Sequence, residues 1–178
     1  MPGYTREVKT RLPDGGTQAE ILDGFYDFLR KLSLLQPPPQ LSVARFLLEK
    51  GQAFTPQKLP KGIEKGQAKL CYANASMMVA ADSSLCYAEG YVLSPRTGYF
   101  PIEHAWAVDQ DGRVIDNTLP SPEANAYYGV SFEAGELMAW LRQSEVYGVF
   151  GGRKQWVERV LVGESLTSAC HEQGEPEL

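Results

Sequence analysis

Three residues of this 178-residue chain are of types that can do nucleophilic chemistry together: Cys71, His104 and Asp116. Cys71 stands in the stretch GQAKLCYANASMMVAA, residues 66–81, where loop residues give way to a helix-forming run. At the first turn of a helix the unpaired backbone N–H groups and the helix dipole favour a thiolate, and a nearby imidazolium lowers the thiol pKa further. In such a set the thiolate attacks an amide or ester carbonyl, the imidazole moves the proton, and the carboxylate orients the imidazole. Each residue alone has a plainer role: Cys71 as a small core residue, His104 as a strand histidine, Asp116 as a turn residue.

The histidine count is restrictive. The chain has only His104 and His171, and the second lies in a polar, acidic tail, so any histidine-dependent chemistry falls to His104. His104 opens the predicted strand HAWAVD, whose alternation puts His104, Trp106 and Val108 on one face. Asp116 and Asn117, on the following strand, are both able to orient the imidazole, and they point to opposite faces. A three-residue loop, Gln110 to Gly112, sets residue 109 opposite 113 and 106 opposite 116, which places Asp116 on the histidine's face. A two-residue loop puts Asn117 there instead. The three-residue loop is favoured because it sets Gly112 where a positive φ is needed.

Acyl transfer also needs donors for the oxyanion. The backbone N–H of Cys71 is the first candidate, and the side chain of Gln67, four residues upstream, is the second. Asn74, one helical turn beyond Cys71, either lines the site or hydrogen-bonds the neighbouring loop. Trp106 and Asn117 are further candidates to border the substrate. Tyr87, Glu89 and Tyr91 share one strand face, Tyr127 and Tyr128 are expected in a loop, and Cys86 is expected in the core. Cys71, His104 and Asp116 offer only three metal ligands with no local ligand pair, so no metal is expected, and the chemistry calls for no cofactor.

The elements that must carry these residues follow from local pattern. TQAEILDGFYDFLRKLSLL begins with Thr17 three residues before Glu20, a capping-box spacing, and sets Ile21, Phe25, Phe28, Leu32 and Leu35 at helical intervals. It stops before Pro37-Pro38-Pro39. A short helix is predicted over 42–50, then a loop from Gly51 to Gly66, then a helix over 71–82. LCYAEGYVL, EHAWAVD and RVIDNTL read as strands. SFEAGELMAWLRQ reads as a helix capped by Ser131, and QWVERVLV as a last strand. The expected class is α+β. Residues 1–60 are expected to form a helical extension packed on the core, 61–162 the core, and 163–178 a disordered acidic tail.

Net charge is −5, but Glu164, Glu172, Glu175 and Glu177 in the last fifteen residues account for four of it. No block of the chain gathers the Lys and Arg that a nucleic-acid surface needs. No run approaches the roughly 20 apolar residues of a membrane span, and no signal-peptide core is present. Three cysteines at irregular spacing imply neither a disulfide scaffold nor a zinc ribbon, which points to a reducing, cytoplasmic setting.

CYANA opening a helix, HAWAVDQDGRVIDNT as a hairpin, and the order Cys, His, Asp resemble the transglutaminase-like branch of the papain-like cysteine enzymes. The resemblance covers about residues 66–119. It implies a helix carrying the cysteine packed on an antiparallel sheet. It also implies Cys71 as nucleophile, His104 as base, Asp116 as orienting carboxylate, and Thr118 completing a D-x-T. AYYGVSF, residues 126–132, is similar to a segment that follows this hairpin in small uncharacterised bacterial and phage members. Asn117 stands where proline is common in that branch. The expected function is thiol-dependent acyl transfer on a protein or small-molecule amide or ester, by hydrolysis, deamidation or transamidation. The alternatives are a non-catalytic bacterial or phage accessory protein on the same fold, or an interaction module working through the N-terminal helix.

Overall fold

The computed structural model describes residues 17–35 and 43–150. Helix α1 (Gln18–Leu34) starts at the predicted capping box, in which Thr17 Oγ1 accepts from the Glu20 N–H and the Glu20 carboxylate accepts from the Thr17 N–H. Its inner side is Ile21, Phe25 and Leu29, with Phe28 and Leu32 partly covered. Leu35 departs from the expected stripe and is exposed. Burying side chains such as Phe25 and Leu29 stabilises the fold by about 2 kcal/mol each. Helix α2 (Val43–Lys50) packs beside α1, and strand β1 (Gln52–Phe54) follows it.

Helix α3 (Cys71–Ala81) precedes strands β2 (Cys86–Leu93), β3 (Pro101–Val108), β4 (Val114–Ile115) and β5 (Ala126–Phe132), and helix α4 (Ala134–Ser144) comes last. The described residues are therefore mixed α+β, with an antiparallel five-stranded sheet in the order β1-β5-β2-β3-β4. The sheet curls until its two outer strands meet. Thr55 donates its N–H to the Gly112 carbonyl at 3.3 Å and accepts the Val114 N–H at 2.9 Å. Two layers of core result. Phe54, Ala88, Val92, Trp106, Val108, Val114 and Tyr127 cluster on one face. Tyr87, Tyr91, Ala105, Ala107, Tyr128 and Phe132 join the helices in the larger cluster on the other. Gly90 and Gly129 face each other in the middle of the sheet. A Cβ on Gly90 would strike the Tyr128 carbonyl oxygen, and one on Gly129 the Glu89 carbonyl oxygen and, at 3.0 Å, the Trp106 ring.

Several expectations need correction. Residues 126–132 are not a loop but the strand β5, buried along its whole length, so Tyr127 and Tyr128 are not lid residues. Ser131 is a strand residue opposite Ala88, and α4 is capped instead by Glu133 in a capping box with Glu136. Residues 52–54, expected as loop, pair with β5. Cys71 is a free thiol, but Cys86 is disulfide-bonded. Disulfides are commonest in oxidising compartments, so cysteine usage does not argue for a reducing one. The strand expected at 155–162 and the tail 163–178 lie outside the described residues. No helix among the described residues is long and apolar enough to cross a membrane.

Candidate active site

The hairpin of β3 and β4 decides which residue meets the histidine. Ala107 faces Ile115, Val108 faces Val114, and Asp109 donates its N–H to the Arg113 carbonyl at 3.0 Å. The loop is thus Gln110 to Gly112, closed by the Gly112 N–H on the Asp109 carbonyl, with Gly112 at φ 73°. In this register Asp116 lies diagonal to His104, and its Oδ2 is 2.9 Å from His104 Nε2. Asn117 points elsewhere. Its Nδ2 donates to the Glu64 carbonyl at 3.3 Å, and its own carbonyl accepts the Gly66 N–H at 2.9 Å.

Strand β4 ends after two residues because Asp116 turns the chain. Asp116 Oδ1 accepts the N–H groups of Thr118 at 2.8 Å and Leu119 at 3.1 Å, a local turn that competes with continued pairing. Beyond the end of β4, α3 packs along β3, which brings the Ala105 amide near Cys71, where it favours the thiolate. Cys71 is the first residue of α3, so the Tyr72 amide of the helix's first turn favours the thiolate too. Lys69, in the left-handed region at φ 68°, turns the preceding loop into the helix.

The electrostatics follow from these contacts. Burial opposes a charge on Cys71, but the hydrogen bond and charge of His104, with the Ala105 and Tyr72 amides, outweigh it and lower the thiol pKa. Burial likewise disfavours the imidazolium, yet Asp116 and Cys71 together raise His104 to about 9. For Asp116 burial is outweighed by the bond and charge of His104 and by the two turn amides, so its pKa is lowered. Since Nε2 is engaged by Asp116, the ring nitrogen left for sulfur is Nδ1. The arrangement shifts Cys71 toward the thiolate and His104 toward the imidazolium, beside a carboxylate whose pKa is lowered.

Asn74 serves the loop rather than the substrate. Its amide accepts the Gln67 N–H at 3.2 Å and donates to the Gln67 carbonyl at 2.8 Å and to Thr118 Oγ1 at 2.9 Å. This ties the approach to α3 directly to the turn that holds Asp116. Gly66 is needed there, because a Cβ would stand 2.5 Å from the Asn74 amide carbon. Gln67 itself is exposed, its backbone fixed by Asn74. Trp106, fully buried, lies under the imidazole with ring centroids 6.2 Å apart and planes 18° from parallel, so it supports His104 and does not border a substrate.

The sequence reading missed Tyr127 and Asn125. Tyr127 donates its O–H to Asp116 Oδ2 at 2.9 Å and accepts from Asn125 Nδ2 at 3.3 Å. Reading AYYGVSF as a strand would have put Tyr127 on the inner face with Trp106.

The chain matches no family model, no curated protein and no solved structure. The resemblance at residues 66–119 therefore rests on the residues themselves. Among the described residues no group of three or more His, Cys, Asp or Glu is placed to hold a metal ion.

A cavity of about 240 Å³ lies on the sheet face opposite the His104 side chain, lined by Tyr72, Glu89, Tyr91, Glu103 and Phe150. Glu89 is buried and accepts from Tyr87 Oη at 2.8 Å and from the N–H groups of Val149 at 2.6 Å and Phe150 at 2.9 Å. Burial pushes its pKa up to about 7 against the pull of those three donors. A raised folded-state pKa gives stability that is complete below the unfolded value and is lost as pH rises through about 7. The protein is therefore expected to be more stable at pH 5 than at pH 8. Glu89→Gln should remove about 1–3 kcal/mol of that difference in urea unfolding, leaving the part due to His104, which is lost between about pH 6.5 and 9. An unchanged pH 5 to 8 difference in the variant would count against this assignment.

Proposed function

We propose that the protein is a thiol-dependent acyl-transfer enzyme of the papain-like, transglutaminase-like kind. The observation that carries this reading is the meeting of Cys71, His104 and Asp116, from three separate elements, with the thiol pKa lowered and the imidazole pKa raised. The Cys71 thiolate attacks an amide or ester carbonyl carbon, and the carbonyl electrons move to oxygen. The tetrahedral intermediate then collapses, the C–N or C–O bond breaks, and His104 gives its Nδ1 proton to the leaving amine or alcohol. Water or an amine next attacks the thioester, loses a proton to His104, and expels the Cys71 thiolate. Asp116 keeps the imidazole ring turned so that Nδ1 faces sulfur throughout.

The oxyanion sits where the Cys71 N–H, unpaired within the helix, reaches it, and the exposed side chain of Gln67 is the second donor. Hydrolysis, deamidation and transamidation all run through the same thioester and differ only in the acceptor.

The test is stoichiometric acylation. With an activated ester such as p-nitrophenyl acetate, the full chain should release a burst of about one equivalent of nitrophenol per protein. Mass spectrometry should place one acetyl group on Cys71, and Cys71→Ala should show neither. Acetylation no faster than that of an unfolded peptide spanning residues 66–81 would overturn the reading in favour of a non-catalytic binding protein.

A further inference from the structure

We propose that Tyr127 is a positioning residue of this site: its O–H, given to the same carboxylate oxygen that takes the His104 Nε2 proton, moderates Asp116 and so sets the acidity of the imidazolium. The inference rests on the acyl-transfer reading of the Cys71, His104 and Asp116 set. Asp116 has four acceptor sites and all are used. Thr118 and Leu119 hold Oδ1, while His104 and Tyr127 hold Oδ2, each at 2.9 Å. The direction of the tyrosine proton is fixed twice. An ionised carboxylate only accepts, and Asn125 already donates to the tyrosine oxygen. Burial and the charge of Asp116 raise the Tyr127 pKa, so the group remains a donor over the working range.

Packing alone does not call for this hydroxyl. The Tyr127 ring sits edge-on to Trp106 at 5.1 Å and tilted to His104 at 6.5 Å, contacts that a phenylalanine ring makes equally well. What the hydroxyl adds is competition for the charge on Oδ2. A carboxylate with one donor fewer holds the His104 proton more tightly, and an imidazolium held more tightly is a poorer acid toward a leaving amine. The ionisable groups facing this row are Cys71 from α3, Asp116 after β4, and Glu123 beside Tyr127; the substitution changes none of them.

The experiment is an NMR titration of the His104 ring in full-length protein with labelled histidine, His171 being the only other signal. Tyr127→Phe should raise the His104 pKa by about one unit and move the alkaline limb of Cys71 acylation upward equally. A purely structural tyrosine predicts no rise, so an unchanged or lowered His104 pKa in a folded variant overturns the inference. If Tyr127→Phe does not fold, Asn125→Ala serves, because it weakens the tyrosine as a donor. A smaller upward shift is expected, and no shift overturns the proposal. Failure of Cys71 to acylate in the wild type, with the His104 shift still present in Tyr127→Phe, would sink the enzyme reading and leave the tyrosine's effect on the imidazolium standing.

Discussion

Replacing His104 with alanine is expected to slow alkylation of Cys71 at pH 6 by on the order of 10²-fold. The reasoning starts from what holds the thiolate. In the folded protein burial alone would raise the thiol pKa, and the bond and charge of His104 are the largest effects pulling it down. Without them burial, the largest single effect on the thiol, is opposed only by the Ala105 and Tyr72 amides. The thiol then titrates at or above its ordinary value of about 8.5, where at pH 6 only some 0.3% is ionised. Iodoacetamide rates followed by peptide mass spectrometry from pH 5 to 9 read this directly. The wild type should show a reactive plateau reaching well below pH 7, and the variant a single rise centred above pH 8.

Alanine also strands a buried carboxylate, a cost of about 3–5 kcal/mol, so the variant requires a folding check. His104→Gln is the second variant. Its amide can donate to Asp116 yet carries no charge, so it should keep the fold and still lose the low-pH plateau. A plateau that survives in a folded His104→Gln protein would mean that the Ala105 and Tyr72 amides alone sustain the thiolate, and the proton-transfer role of His104 would fall.

How much of this was legible beforehand depended on which positions obey a local rule. Gly112 made the difference at the hairpin. A residue with positive φ at the end of a three-residue loop fixes the register at 109 opposite 113, and the register alone puts Asp116, and not Asn117, beside His104. The start of α3 at Cys71 was legible because helix-forming residues begin there without interruption. Strand β5 was not, for a physical reason. Both of its faces are buried, so it shows no alternation of polar and apolar residues, and the aromatic pair Tyr127-Tyr128 serves two different cores. With β5 hidden, the fourth donor to Asp116 was hidden too. The clamp of Asn74 on Gln67 and Thr118 was half legible: helical spacing placed Asn74 beside the loop, but its link to the Asp116 turn depends on the curl of the sheet.

Asp116→Asn tests the same row from its other end, and it is expected to lower kcat by about 10⁴-fold if this row behaves like other hydrogen-bonded triads. Asp116 accepts four donors, whereas an asparagine amide has one accepting oxygen and an NH₂ group. If the oxygen stays on the Thr118 and Leu119 amides, the NH₂ faces His104 Nε2 and the Tyr127 hydroxyl. Nε2 must then present its lone pair, the ring proton moves to Nδ1, and the imidazole has no site left to take a proton from the thiol or from water. If the amide flips, the NH₂ confronts two turn N–H groups and the turn itself is strained. Either way the variant loses the pairing that depresses the Asp116 pKa. A depressed carboxylate pKa gives stability that is present above the unfolded value and lost as pH falls through the folded one, so the wild type should weaken below pH 4. In Asp116→Asn that acid limb should disappear from the urea unfolding midpoints. Asn117→Ala is the control, since Asn117 bonds only the 64–66 loop and should leave kcat within about a factor of ten. Equal losses in the two variants would mean that residues 116 and 117 act through the turn as a whole, and that Asp116 does not orient His104 by itself.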